Sequence, residues 1–179
     1  MKWLKKERTK NKKYPLVVTM STGEKMKIPR QSQFDNEWLR KHGCSIMAEY
    51  IALEWLGVKK IGKENLWPVT LLRWHKKHTP DMIAAKLLIK GTAEGINKLS
   101  DGQAVYYKGT TRSRMTKALV EGKLVIFEQK DPIHTVILLP DRDGIFVASH
   151  GTVRKTTVDK MISTALRSTK YKGMVVVSK

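Results

Sequence analysis

The sequence predicts an α+β domain, and three observations carry that expectation. Apolar residues recur at helical spacing in the first half, most clearly from Cys44 to Gly57. After Gly122 the pattern changes to short runs rich in β-branched and large apolar residues, KLVIFEQ, HTVILLP and GIFVAS, separated by turn signals. The chain closes on a further run of this kind, MVVVSK. Helices ahead of strands predict helices gathered on one side of a small twisted antiparallel sheet. With 179 residues, 41% of them hydrophobic, the chain can bury a real core as one domain. The expected organisation is a basic flexible arm over residues 1–13 and a single domain over 14–179, without repeats or low-complexity tracts.

The elements follow in order. Tyr14 to Met20 reads as a short strand, and residues 21–38 as turns and loop broken at Gly23 and Pro29. Gly43 precedes CSIMAEYIALEWLG, whose wide apolar stripe predicts a central, well-buried helix with Cys44 in its first turn. The Trp-rich stretch 59–78 contains a helical part of unclear limits. Thr79, Pro80 and Asp81 predict a helix start, with the helix running to a stop at Gly91. A small helix from Ser113 to Glu121 ends at Gly122, with Met115 and Leu119 as its apolar contacts. Two strands follow, then a tight turn from Asp141 to Gly144, then a third strand. Residues 158–167 return to helical spacing with Thr157 as cap, and the last strand completes the sheet.

Charge is the most unusual bulk property. Thirty-five Lys and Arg face 16 Asp and Glu, a formal charge of +19. The excess recurs along the chain: seven basic residues against one acidic in 1–13, six against one in 59–78, seven against one in 151–179. Such a field favours anionic partners: an acidic protein or peptide, an anionic cell-wall polymer, or nucleic acid. No zinc-finger spacing, glycine-rich RNA-binding motif or basic-plus-heptad pattern supports specific base reading. A single cysteine excludes an intramolecular disulfide. No apolar stretch follows the basic start, so the reading is a cytoplasmic product, or one released without a standard signal peptide, with no membrane span.

Cys44 and His134 carry the chemistry. Free cysteines are often buried and inert. Cys44, however, follows a glycine at a helix start, where unpaired N–H groups and the helix dipole favour a thiolate. His134 opens the second strand and is the matching base for a cysteine nucleophile. His75 and His78 stand three apart in RWHKKH, which reads as a basic surface patch, since a metal would need more converging ligands. Trp67 and Trp74 suit either stacking on bases or packing, with packing the default. Asp141 and Asp143 flank a turn and need no catalytic role. No cofactor is called for.

These residues bring a family into view. The segment QFDNEWLRKHGCSIMAEYIALEWLG resembles the nucleophile region of papain-like cysteine peptidases, in the bacteriocin-leader-peptidase-like group. Gln33, Asp35 and Trp38 match that group's first stretch, and Gly43 with Cys44 its second. The later run from Met115 to Ser149 resembles the other half: a short helix, a strand, His opening the next strand, a hairpin and a third strand. The resemblance covers residues 28–179, with the Trp-rich middle unmatched. It implies a papain-like fold in which the helix bearing Cys44 packs on the small antiparallel sheet. Cys44 would be the nucleophile, His134 the general base and acid, and Gln33 a donor to the oxyanion hole beside the Cys44 N–H. The third catalytic position, normally Asp or Asn, falls on Ser149, a neutral hydroxyl; His150 and Asp131 are the alternatives. Ser45-Ile46-Met47 also departs from the small residue and proline usual after Gly-Cys. The implied activity is hydrolysis of a peptide or amide bond. The competing reading is a catalytically inactive member that binds an anionic polymer, nucleic acid or acidic protein.

Overall fold

The longest apolar helix organises everything around it. In α2 (Cys44–Trp55) the residues from Ser45 to Leu53 are buried all round, so the helix has almost no polar face and must lie inside the domain. Each of its large side chains, Ile46, Ile51 and Leu53 among them, contributes about 1.5–3 kcal/mol by leaving water. The computed structural model describes residues 15–86, 89–109, 111–130, 133–149, 151–160 and 171–179. The basic arm therefore lies outside the described residues.

Around α2 the chain runs in a definite order. A hairpin, β1 (Leu16–Thr19) and β2 (Lys25–Ile28), is followed by a 3-10 turn (Gln31–Gln33) and by α1 (Glu37–His42). Asn36 caps α1 by accepting the Leu39 N–H. Beyond α2 come a two-residue hairpin, β3 (Lys60–Ile61) and β4 (Glu64–Asn65), and three helices, α3 (Pro68–His78), α4 (Pro80–Ala84) and α5 (Ile89–Leu99). The remaining elements are β5 (Gln103–Lys108), α6 (Arg112–Val120), β6 (Leu124–Lys130), β7 (Ile133–Asp141), β8 (Gly144–Ser149), β9 (Thr152–Thr156) and β10 (Tyr171–Ser178). The main sheet is antiparallel throughout, in the order β5-β10-β6-β7-β8-β9. The fold is thus α+β, with helices packed against a small antiparallel sheet. No helix among the described residues is long and apolar enough to cross a membrane.

Several expectations need correction. The helices do not keep to one side of the sheet. Ile126, Ile137, Leu139 and Val175 belong to the core shared with α2 and α5, whereas Met115, Ala118 and Leu119 of α6 cover Phe127, Val136, Leu138 and Met174 on the opposite face. Both faces being buried, the strands read as continuous apolar runs instead of alternating ones. The helix expected from Thr79 to Gly91 is two helices. Thr79 does not cap α4, because its hydroxyl is engaged by His75. Gly91 lies inside α5, a helix that also contains Gly95. Residues 21–38 hold a strand, a 3-10 turn and the start of α1, and the sheet has two further strands, β5 and β9, that the apolar pattern does not signal. The small helix is capped by Thr111 and starts at Arg112. The Lys160 N–H donates to Thr157, as a cap requires, and the body of that helix lies outside the described residues.

RWHKKH is not simply a surface patch. His75 is fully buried, with Nε2 2.9 Å from both Glu49 carboxylate oxygens and Nδ1 2.7 Å from Thr79 Oγ1. The amphipathic spacing of α3 turns His75 inward together with Leu71 and Leu72, while Lys76 and Lys77 stay outside. Trp67 packs, with its ring centroid 5.3 Å from Tyr50 and 5.8 Å from Phe34. Asp141 has a structural task. It accepts from the Ser21 N–H and hydroxyl and from Lys155, which clamps the first hairpin to the β7–β8 turn.

Candidate active site

Gly43 sets the position of the cysteine. It ends α1 by donating its N–H to the Leu39 carbonyl, and it is also the residue from which α2 begins. A Cβ at this position would run into the Leu39 carbonyl oxygen, so the two helices can be joined without a linker only through glycine. Cys44 is then the first residue of α2, half-buried, with its backbone N–H among those that the helix leaves unpaired. The helix is held from the other side by Glu54, whose carboxylate accepts the Lys27 N–H of β2.

β7 supplies the facing residues. Successive side chains of a strand fall on opposite faces. Ile137 and Leu139 face α2, Val136 and Leu138 face α6, so Thr135 has the phase of the α2 face and His134 that of the α6 face. The contacts agree. Thr135 Oγ1 donates to Cys44 Sγ at 3.5 Å and lies 3.2 Å from Ser45 Oγ. His134 Nε2 lies 2.9 Å from Ser149 Oγ, and Ser149 has the phase of Val147 and Ile145 on β8, on the α6 side. All three buried polar residues sit at the end of the sheet nearest the start of α2.

That end opens into a cavity of about 210 Å³. Cys44, His134, Thr135 and Ser149 all line it, so helix start and strand ends meet in one place although their phases differ. Gln33 is not among its lining residues. Its carboxamide oxygen accepts the Arg30 N–H at 2.9 Å and closes its own 3-10 turn, while Gln31 and Ser32 of that turn reach the cavity. Asp131 and His150 lie outside the described residues. Thr135 was missed from the sequence. Val136 to Leu139 are apolar at every position, so the sequence around Thr135 carries no phase that would single it out. Among the described residues no group of three or more His, Cys, Asp or Glu side chains is arranged to hold a metal ion.

Comparison with known proteins adds little. No family model matches the chain, and no curated protein does. Among solved structures, a crystal structure of the Pseudomonas avirulence protein AvrPphB is similar at 5% sequence identity. The match covers 83% of this chain and all of that one, with a TM-score of 0.46, a weak and partial likeness.

Proposed function

We propose that the protein is a cysteine hydrolase of the papain-like kind, acting on a peptide or amide bond, with Cys44 as nucleophile and His134 as general base and acid. One observation carries this reading: a half-buried cysteine at a helix start shares a single cavity with a hydrogen-bonded His134–Ser149 pair. In the tautomer that donates its Nε2–H to Ser149, Nδ1 is the nitrogen that takes the Cys44 proton as sulfur attacks the carbonyl carbon. The Cys44 N–H supplies one oxyanion donor. Gln33 does not line the cavity and its oxygen is engaged by Arg30, so to serve as the second donor it would have to turn its NH2 group toward Cys44. Collapse expels the amine, which takes the proton from His134 and leaves a thioester. Water, deprotonated by His134, then releases the carboxylic acid and restores the thiol. Ser149 orients the imidazole but brings no charge to stabilise its protonated form, which predicts a slow enzyme.

The competing reading is a non-catalytic binding protein on the same fold. It is favoured by the Thr135 hydroxyl as the observed donor to Cys44. Iodoacetamide separates the two. If His134 activates the thiol, His134→Asn slows alkylation of Cys44 at neutral pH by about tenfold or more. Equal alkylation rates in both proteins, together with no cleavage of a peptide library, would leave only the binding reading.

A further inference from the structure

The cavity beside Cys44 has two unlike walls. One is apolar and built from the inner side of the domain: Met47 and Ile51 of α2, Ile137 of β7, Ala148 of β8 and Ile28 of β2. Its volume of about 210 Å³ suits one or two side chains, not a folded partner. The other wall is polar and comes from the turn before α1 and from α1 itself, where Arg30, Gln31, Ser32 and Arg40 line the opening. Neither Asp nor Glu is among the lining residues. Two arginines therefore line a pocket that has no Asp or Glu among its lining residues.

The placement of the Arg30 stem is built into the backbone. Gly151 has φ +70°, a conformation that side chains rarely adopt, and a Cβ there would come 2.5 Å from Arg30 Cβ and 2.6 Å from its Cγ. The Arg30 stem thus lies against the bend between β8 and β9, which fixes it at the rim. Arg40 is different. It is exposed in the last turn of α1, so its fork can meet an incoming group without displacing anything.

We propose that the cavity selects an extended peptide in which an apolar side chain, taken by the inner wall, is next to a carboxylate, paired at the rim by Arg40. This inference deepens the hydrolase reading by naming its substrate class, and it rests on that reading for the peptide nature of the ligand. Arg matches a carboxylate with two parallel N–H donors, which a diffuse lysine field does not.

The test measures binding separately from chemistry. Cys44→Ala is titrated with Gly-Gly-Ala-Leu-Glu-Gly-Ala-amide carrying fluorescein on its N-terminal amine, and with its Gln and Lys counterparts labelled the same way, by anisotropy at physiological salt. The Glu peptide is expected to bind about tenfold more tightly than the Gln peptide. Arg40→Ala in the same background should bring the Glu peptide down to the Gln level while leaving the Gln peptide unchanged, and Arg40→Glu should favour the Lys peptide. Lys76→Ala, an exposed charge on α3, should change none of these. Equal affinity for Glu and Gln peptides, no measurable binding of any of them, or an equal loss with Lys76→Ala, overturns the proposal. Failure of the hydrolase reading shows elsewhere, in unchanged Cys44 alkylation in His134→Asn, so the two can fail independently.

Discussion

Glu49 makes a pH-dependent prediction that follows from its burial. The carboxyl is fully buried against His75, and desolvation raises its pKa above the ordinary 4.5 although the hydrogen bond and charge of His75 pull the other way. A raised native pKa means that the folded protein holds its proton after the unfolded chain has lost it. The stability Glu49 contributes is complete below 4.5 and drains away as pH rises toward the native value. In Glu49→Gln the side chain keeps an oxygen for His75 but cannot ionise. Its extra N–H has no partner in this site and costs about 1–3 kcal/mol, so the variant starts less stable in acid. Over the pH range between the unfolded and native values, wild type loses up to about 1.4 kcal/mol per pH unit relative to the variant. Urea titrations of both proteins, at several pH values from 4.5 upward, should show the gap narrowing. A gap that stays constant, or widens as pH rises, would refute the reasoning, because it would mean that the ion pair with His75 outweighs the cost of burying the charge.

Three other perturbations test the packing around the site. Gly95→Ala places a Cβ 2.8 Å from Glu49 Cδ and 2.9 Å from His75 Cε1, so α5 must move or the buried pair must open. A loss of about 1–3 kcal/mol is expected, or roughly 2–4 °C in Tm for each kcal/mol, and an unchanged melting temperature would show that α5 can shift freely. Asp141 is opposed by its own burial, but hydrogen bonds from Ser21 and Lys155 and from the Ser21 and Arg142 N–H groups outweigh that and lower its pKa from 3.8 to about 2. Its contribution is therefore present above 3.8 and lost as pH falls through about 2. The shift corresponds to about 2 kcal/mol, so an acid titration of Asp141→Asn should lack that part of the wild-type decline. Thr135→Val removes the hydroxyl shared by Cys44 and Ser45 and leaves a buried serine short of a partner. It should cost about 1–2 kcal/mol in urea unfolding, and a change under about 0.5 kcal/mol would mean that those contacts hold nothing.

What the sequence reveals about this fold depends on how local the cause is. The α2 helix is legible because its apolar residues and the glycine before it lie within one stretch, and the β7–β8 hairpin because its turn residues do. Thr79-Pro80-Asp81 misled for a physical reason. All three favour a helix start, and a helix does start there, but the Thr79 hydroxyl is claimed by His75 and the helix stops after Ala84. The burial of His75 has no local signal in a run as basic as RWHKKH. It comes from Glu49, 26 residues away, and from Gly95, whose missing side chain leaves the space that the pair occupies. Gln33, recognisable only through resemblance, is shown by the structure in its own turn and not among the residues lining the cavity.

Which of residues 134 and 135 faces the cysteine shows most clearly where sequence reasoning ends. In a sheet with one wet face, alternation of polar and apolar residues tells which side chains point inward, and a slip of one residue would be costly. Here α2 and α6 cover opposite faces, so Val136 to Leu139 are apolar at every position and carry no phase. A one-residue slip of β7 would exchange Ile137 and Leu139 for Val136 and Leu138 with little change in buried area. It would also bring His134 to the α2 side in place of Thr135. The register is therefore held by the few residues that are not interchangeable: the turn that pairs Asp141 with Gly144, the Ser45–Thr135 contact and the His134–Ser149 contact. The buried polar contacts are thus what set which residue of β7 faces the cysteine. A substitution at Thr135 or Ser149 should consequently be judged by strand register as well as by activity, since loss of either contact weakens what keeps His134 in place.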